Sequence, residues 1–284
     1  MTDKLIGLGK LMRLEKPIGT FLLLWPTLSA FMILKEGSPT LGLVAIFCIG
    51  TFLMRSAGCV INDFFDRDFD GKVERTKNRP LVTGQVKGFE AITLFFILVS
   101  LSASLLFWTN KLTVIIACIG LIIAVIYPLT KRFFELPQVF LGLAFSWGIL
   151  MVSAAELDKI SSTSLIMFSA CFFWIMAYDT AYAMSDRADD LSIGLNSSAI
   201  TFGNRSQMMI IIFHLLSLLF WTYLAYRENL HLVFYLGISL CTILIYHQYT
   251  LIKGADREEC LKAFKKNNWI GLTILISAFI STNL

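Results

Sequence analysis

The feature that most constrains this chain is the recurrence of long apolar stretches, separated by short polar segments, over nearly its whole length. About 20 apolar residues are what a helix needs to cross a bilayer's hydrocarbon, where each backbone N–H and C=O must be satisfied within the segment. Nine stretches qualify as candidates, near residues 18–34, 41–61, 89–108, 112–129, 136–154, 164–184, 207–226, 230–252 and 268–282. The expectation is an all-α polytopic membrane protein with the lipid bilayer as its surroundings. Composition agrees, at 56% hydrophobic and 15% charged, where soluble domains run at roughly 45–50% and 25%.

An odd number of spans permits an orientation test, because cytoplasmic loops carry an excess of Lys and Arg. Of the 24 basic residues, only Lys35, Lys111, Lys159 and Arg227 fall on the side opposite the N-terminus, and Arg55 lies inside the second span. All the others share the N-terminal side, which is therefore expected to be cytoplasmic. This distribution also accounts for the net charge of +4 without nucleic acid as a partner. Residues 1–16 mix basic and apolar side chains as an interfacial amphipathic segment does, and Pro17 suits the start of the first span. The apolar stretch that follows is too long for a signal peptide. Residues 1–284 read as one transmembrane unit, with 62–88 and 185–205 as cytoplasmic cap loops and the run Lys253 to Asn268 as a solvated connection.

Two acidic runs end apolar stretches on that cytoplasmic side. The first is Asn62-Asp63-Phe64-Phe65-Asp66-Arg67-Asp68-Phe69-Asp70. If the second span continues as helix, Arg55, Asn62, Asp66 and Asp70 share one face. The second run extends from Asp179 to Asp190, where Tyr178, Tyr182, Asp186 and Asp190 follow one another at i, i+4 steps with Asp179 one position around. Clustered carboxylates at a membrane boundary repel one another, and a hard divalent cation is a reason to keep them. Two such clusters suit a diphosphate held through Mg²⁺, which takes one or two carboxylates together with phosphate oxygens. The competing reading is a pair of solvated loops whose acids balance nearby Lys and Arg.

Several cations lie close enough in sequence to matter. Arg55 in the second span either faces a polar cavity and pairs with an anion or snorkels to the surface. Lys77 and Arg79 are candidate phosphate contacts, or simple positive-inside charge. Lys131 and Arg132 close the fourth span beside Tyr127, and Arg132 offers a planar fork for phosphate oxygens. Phe64, Phe65 and Phe69 could shield a carbocation, with interfacial anchoring as the alternative. Cys48, Cys59, Cys118, Cys171, Cys241 and Cys260 are scattered, and His214, His231 and His247 lack metal-ligand spacing, so neither a zinc site nor a His-based triad is expected. The offset between Asp66 and Asp186 hints at a duplication.

Asn62-Asp63-x-x-Asp66-x-x-x-Asp70, with Asp186-x-x-x-Asp190 preceded by Tyr182-Ala183, resembles the paired signatures of the UbiA-type intramembrane prenyltransferases. The segments Arg13 to Gly19, Leu24 to Thr27, Arg55 to Asp63 and Tyr178 to Met184 are most similar to the bacterial 4-hydroxybenzoate polyprenyltransferases of ubiquinone synthesis. That resemblance implies nine transmembrane helices around a central, lipid-accessible cavity. It also implies Mg²⁺-dependent transfer of a polyprenyl group from its diphosphate to the 4-hydroxybenzoate carbon ortho to the hydroxyl. By position it places one Mg²⁺ on Asn62, Asp66 and Asp70 and another on Asp186 and Asp190, with Arg67 and Arg132 near the diphosphate; Asp63, Tyr182 and Lys131 are further candidates for substrate binding. Asp66 and Asp186 are then essential to catalysis. Asp186 or Asp189 is expected to orient or deprotonate the phenol, and Arg55 or another cavity arginine to meet the benzoate carboxylate. Ser192 and Asn196 stand where lysines are expected. Another acceptor, such as haem, a naphthoate, homogentisate or chlorophyllide, is the nearer rival, and a cation transporter the farther one.

Overall fold

The structure is a computed structural model that describes residues 2–72 and 76–284, and it is built from helices. The part of the expected cytoplasmic cap at Val73 to Arg75 lies outside the described residues. In chain order the α-helices are α1 (Thr2–Leu11), α2 (Ile18–Leu34), α3 (Leu41–Asp70), α4 (Gly88–Leu105), α5 (Lys111–Thr130), α6 (Gln138–Leu157), α7 (Ser162–Ile193), α8 (Ser198–Phe202), α9 (Ser206–Arg227), α10 (Leu232–Ile252) and α11 (Arg257–Ser281). Each of the nine candidate stretches falls on one of these helices. Among the described residues, seven helices are long and apolar enough to cross a membrane, and the chain is a multi-pass membrane protein. The other two, α2 and α11, are respectively shorter, at 17 residues, and charged along the first turns.

The helices pack as neighbours around a circuit. α2 meets α3, α5 meets α6, α6 meets α7, α7 meets α9, and α10 meets α11, which returns to α2. Small residues set the closest approaches: a Cβ on Gly271 of α11 would come within 2.8 Å of Trp25 on α2 and 2.9 Å of Trp174 on α7. Some polar groups inside the bundle pair across helices, as a medium without water favours. Trp174 Nε1 donates to Asn267 Oδ1 at 2.9 Å, and Asn267 Nδ2 donates to Gln248 Oε1 at 2.9 Å, tying α7, α11 and α10 together.

Three boundaries depart from the sequence reading. Residues 62–70 are the last turns of α3, and residues 185–193 the last turns of α7, so each proposed cap loop begins as helix. The run Lys253 to Asn268 is mostly helix too, because α11 starts at Arg257 under an N-cap in which Asp256 accepts from the Glu259 N–H. Its charges hid a buried face made of Cys260, Ala263 and Asn267, residues too small or too polar to register as an apolar stripe. At the other end of the chain, α1 buries Leu11 against Val60, Val86 and Ala91 while Leu5 and Ile6 stay exposed.

Candidate active site

No proline falls within α3, and no glycine between Gly58 and Gly71, so the helix carries its acidic run beyond the apolar stretch and presents Asn62, Asp66 and Asp70 along one face. Asn62 Nδ2 donates to Asp66 Oδ2 at 3.1 Å, one turn away. α7 does the same for Asp186 and Asp190, and ends where Gly194 takes a left-handed conformation (φ 72°). All five side chains, from helices far apart in sequence, line one cavity of ≈1280 Å³. Its charged pole narrows into walls of Ile46, Phe47, Leu105, Leu121 and Met151.

Cations from other elements hold the carboxylates of α3. Arg79 Nη1 reaches Asp70 at 2.6 Å and Asp63 at 2.9 Å, and Arg13 Nη2 also reaches Asp63, at 2.7 Å. Lys131 Nζ lies 3.3 Å from Asp66. Burial alone would lower the pKa of Lys131, just past the end of α5, but the Asp66 carboxylate raises it above the ordinary lysine value. Beside α7, Arg257 of α11 pairs with Asp189 at 2.7 Å and touches Asp186 at 3.7 Å.

Deeper in the same cavity sits Arg55, about 10 Å along the helix from Asn62. Its guanidinium packs where a Cβ on Gly19 of α2 would meet it, so any larger residue there would displace the arginine from this position. Arg55 Nη1 meets Cys59 Sγ, and its Nε is buried without a hydrogen-bond partner among the described residues. The Tyr178 hydroxyl, also buried and without a partner, lines the cavity as well. A buried donor left unmatched is costly, so this is where a ligand acceptor fits.

Of the sequence-derived site residues, Arg55, Asn62, Asp63, Asp66, Asp70, Lys131, Tyr182, Asp186 and Asp190 all line the cavity. Arg67, Arg132 and Asp189 do not. Arg67 turns outward, its guanidinium 4.4 Å from the Phe64 ring centre, and Arg132 sits 5.2 Å over Phe69 while donating to the Phe65 carbonyl at 2.7 Å. Arg67 also pairs with Asp68 at 3.5 Å. Asp189 lies around the helix from Asp186 and faces α11, where Arg257 takes it. Lys77 is also off the lining, and of the three phenylalanines only Phe69 is on it.

The structure adds lining residues that the two acidic runs did not single out as site groups. Arg13, Lys16 and Gln138 are among them, with Lys265 and Asn268 from α11. Arg13 and Lys16 belong to the segment that carried the family resemblance, which was the available signal. Lys265 and Asn268 had none, because their stretch reads as a polar connection. Asn196, where a lysine is expected, lines the cavity and donates its N–H to the Lys131 carbonyl at 2.8 Å.

Oxygen is the donor chemistry at the charged pole, which suits a hard divalent ion. Asp63 Oδ2 is buried there without a hydrogen-bond partner, and Asn62, Asp66, Asp70, Asp186 and Asp190 offer further oxygens. Among the described residues no three His, Cys, Asp or Glu side chains converge into an all-protein cage. Magnesium does not need one, since phosphate oxygens and water complete its octahedron. The residues present therefore fit this ion.

A helical membrane bundle with carboxylates from two helices at the mouth of a large, mostly apolar cavity defines a class of protein built to meet amphiphilic anions. The profile described as UbiA prenyltransferase family matches residues 23–274, and the chain belongs to that family. It is 45% identical over 274 residues to a Nitrosospira multiformis protein named 4-hydroxybenzoate octaprenyltransferase, an alignment covering 96% of this chain and 94% of that one. In fold it is similar to a UbiA homolog from Aeropyrum pernix K1, with TM-score 0.81, 22% identity, and coverage of 94% of this chain and 98% of the other. A UbiA homolog from Archaeoglobus fulgidus bound to GPP and Mg²⁺ superposes with TM-score 0.76 at 18% identity, covering 98% and 100%.

Proposed function

We propose that this chain transfers a polyprenyl group from polyprenyl diphosphate to the 4-hydroxybenzoate ring carbon ortho to the hydroxyl, a membrane step of ubiquinone biosynthesis. The observation that carries the proposal is the convergence of Asn62, Asp66 and Asp70 with Asp186 and Asp190 on one cavity that continues between apolar walls. The names of the relatives at 45% and 46% identity support the choice of acceptor. The protein sits in the bacterial inner membrane as a single unit of nine transmembrane helices, α2 to α7 and α9 to α11. Its acidic helix ends face the cytoplasm, which accords with the distribution of Lys and Arg, and α1 lies at the lipid interface.

Asn62, Asp66 and Asp70 on one side and Asp186 and Asp190 on the other would hold Mg²⁺, which would supply Lewis-acid charge to the diphosphate. Lys131 and Arg79 add fixed positive charge there, oriented before substrate arrives by the ion pairs they already make. The allylic C–O bond breaks with its electron pair leaving on the diphosphate. The ring carbon ortho to the phenol donates the pair that makes the new C–C bond, and loss of that carbon's proton restores aromaticity. Arg55 binds the benzoate carboxylate, with the Tyr178 hydroxyl as a second donor, and so fixes which carbon faces the allylic centre. Asp186, on the lining, is the group placed to orient or deprotonate the phenol. Tyr182, one turn before it, contributes aromatic wall at the same level. Asp189 is withdrawn from that role, since it faces Arg257 outside the lining.

Membranes containing the protein, incubated with Mg²⁺, a polyprenyl diphosphate and 4-hydroxybenzoate, should yield the prenylated acid. Product from haem or a naphthoate and none from 4-hydroxybenzoate would move the protein to another acceptor in the family. Metal-dependent ion flux with no diphosphate turnover would remove it from enzymology altogether.

A further inference from the structure

The first turn of α11 places a cation where helix electrostatics argue against one. Arg257 is the first residue of the helix, at the positive end of its dipole, and Glu258 and Glu259 follow in the positions acids favour. The turn that delivers Arg257 is itself costly in backbone terms, because Ala255 takes a left-handed conformation (φ 51°) rarely adopted by a residue with a side chain. Both features point away from helix formation as the reason for this arginine. What it gains is Asp189 at 2.7 Å and Asp186 at 3.7 Å, on a different helix.

The contact is the end of a continuous antiparallel seam. Two turns deeper, Phe264 of α11 packs edge-on against Tyr182 and Tyr178 of α7, with ring centres 5.0 and 5.7 Å apart. Below that, Trp174 donates to Asn267. α11 is therefore registered against α7 along its length, and Arg257 is delivered to the carboxylates by a rigid element. It reaches them from outside: Asp186 lines the cavity, while Asp189 and Arg257 do not.

We propose that Arg257 is a positioning residue for the second acidic cluster, anchored by Asp189 and setting the Asp186 carboxylate in the orientation that receives the divalent ion. The inference rests on the reading of Asp186 as a metal-binding residue. It gives Asp189 a part distinct from acid or base chemistry: it holds the arginine. Partners that orient a ligating carboxylate usually matter for metal affinity more than for the chemical step.

The test is a comparison of wild type, Arg257→Gln, Arg257→Lys, Asp189→Asn and the Arg257→Gln/Asp189→Asn double variant. Divalent-ion binding is read by Mn²⁺ paramagnetic resonance, and Mg²⁺ half-saturation by turnover. Arg257→Gln should weaken Mn²⁺ binding and raise the Mg²⁺ half-saturation about tenfold, with kcat at saturating Mg²⁺ within about threefold of wild type. Lysine should restore part of the loss. Asp189→Asn should reproduce the effect, and the double variant should be no worse than either single one, because both changes break one linkage. Should Arg257→Gln prove too unstable to purify, Asp189→Asn and Arg257→Lys still decide the matter. Unchanged or tighter Mn²⁺ binding, additive losses, or a fall in kcat with no movement in half-saturation would each overturn the proposal. Wild type that neither binds Mn²⁺ nor turns over would instead overturn the underlying function.

Discussion

The two acidic helix ends look alike in sequence and are supported quite differently. Both place carboxylates at i, i+4 on a helix that outruns its apolar stretch, and both line the same cavity. On α3 the cations that hold the acids arrive on irregular or terminal segments: Arg13 follows α1, Arg79 lies in the connection to α4, and Lys131 follows α5. On α7 Arg257 arrives on a long helix packed in register. Support borne on connections can move with substrate, whereas support borne on a packed helix is fixed beforehand. The contrast assigns α3 the adaptable side of the site and α7 the rigid side.

Removing one carboxylate from each side gives the largest effect and tests whether the sides act together. Asp66→Asn and Asp186→Asn should each lower turnover by at least about 100-fold, as expected when transition-state charge loses its stabilisation. The amount of folded protein in membranes should stay close to wild type. If either variant kept more than a tenth of wild-type turnover, its cluster would not be part of the reacting centre, and the comparison would reduce to one site and one bystander.

The spans and the carboxylate faces were legible from sequence because both are local periodicities. A run of apolar residues marks α6 or α10, and the four-residue spacing of Asn62, Asp66 and Asp70 marks a face. The charges that complete the site were not legible as pairs. Asp63 meets Arg13 across 50 residues, Asp66 meets Lys131 across 65, and Asp189 meets Arg257 across 68. Such pairings follow from how helices pack, which no local pattern encodes. Arg67 and Arg132 fall off the lining for the same reason: proximity in sequence to acids at 66 and 70 says nothing about which way a side chain turns at a helix end. The start of α11 was missed because its buried face uses Ala263 and Asn267, where periodicity methods look for leucine.

Arg79 is the next place to press on the contrast, because it holds two buried carboxylates at once. Arg79→Ala leaves Asp70 without that pairing and Asp63 with Arg13. The cost in stability should be roughly 3 kcal/mol, as for breaking a buried ion pair, together with a rise of about tenfold in the KM for the diphosphate. Arg13→Ala, which removes a contact to Asp63 alone, should cost less on both measures. Equal effects would mean that Arg79 does not bridge Asp63 and Asp70 in the working enzyme. Arg55→Ala should sort differently, raising the KM for 4-hydroxybenzoate about tenfold while the KM for the diphosphate stays within about twofold, since one buried charged hydrogen bond is lost at the acceptor end. A change in the diphosphate KM alone would transfer Arg55 to the other substrate.

The smallest effects are expected from Arg67→Ala and Arg132→Ala, and they sharpen the comparison by asking how far the adaptable side extends. Each guanidinium rests on a phenylalanine, at 4.4 Å for Arg67 over Phe64 and 5.2 Å for Arg132 over Phe69, and Arg67 also pairs with Asp68 at 3.5 Å. Contacts of this kind contribute about 0.5–1 kcal/mol at exposed sites. Loss of either should therefore shift thermal stability slightly and leave the KM for the diphosphate within about twofold. Arg132 is the more informative of the two, because its donation to the Phe65 carbonyl ties the end of α5 to the last turns of α3. A tenfold rise in the diphosphate KM for Arg132→Ala, with stability unchanged, would show that the guanidinium leaves Phe69 for the phosphate when substrate binds. The mobile support on α3 would then include the end of α5, while α7 would keep the fixed arm that Arg257 provides.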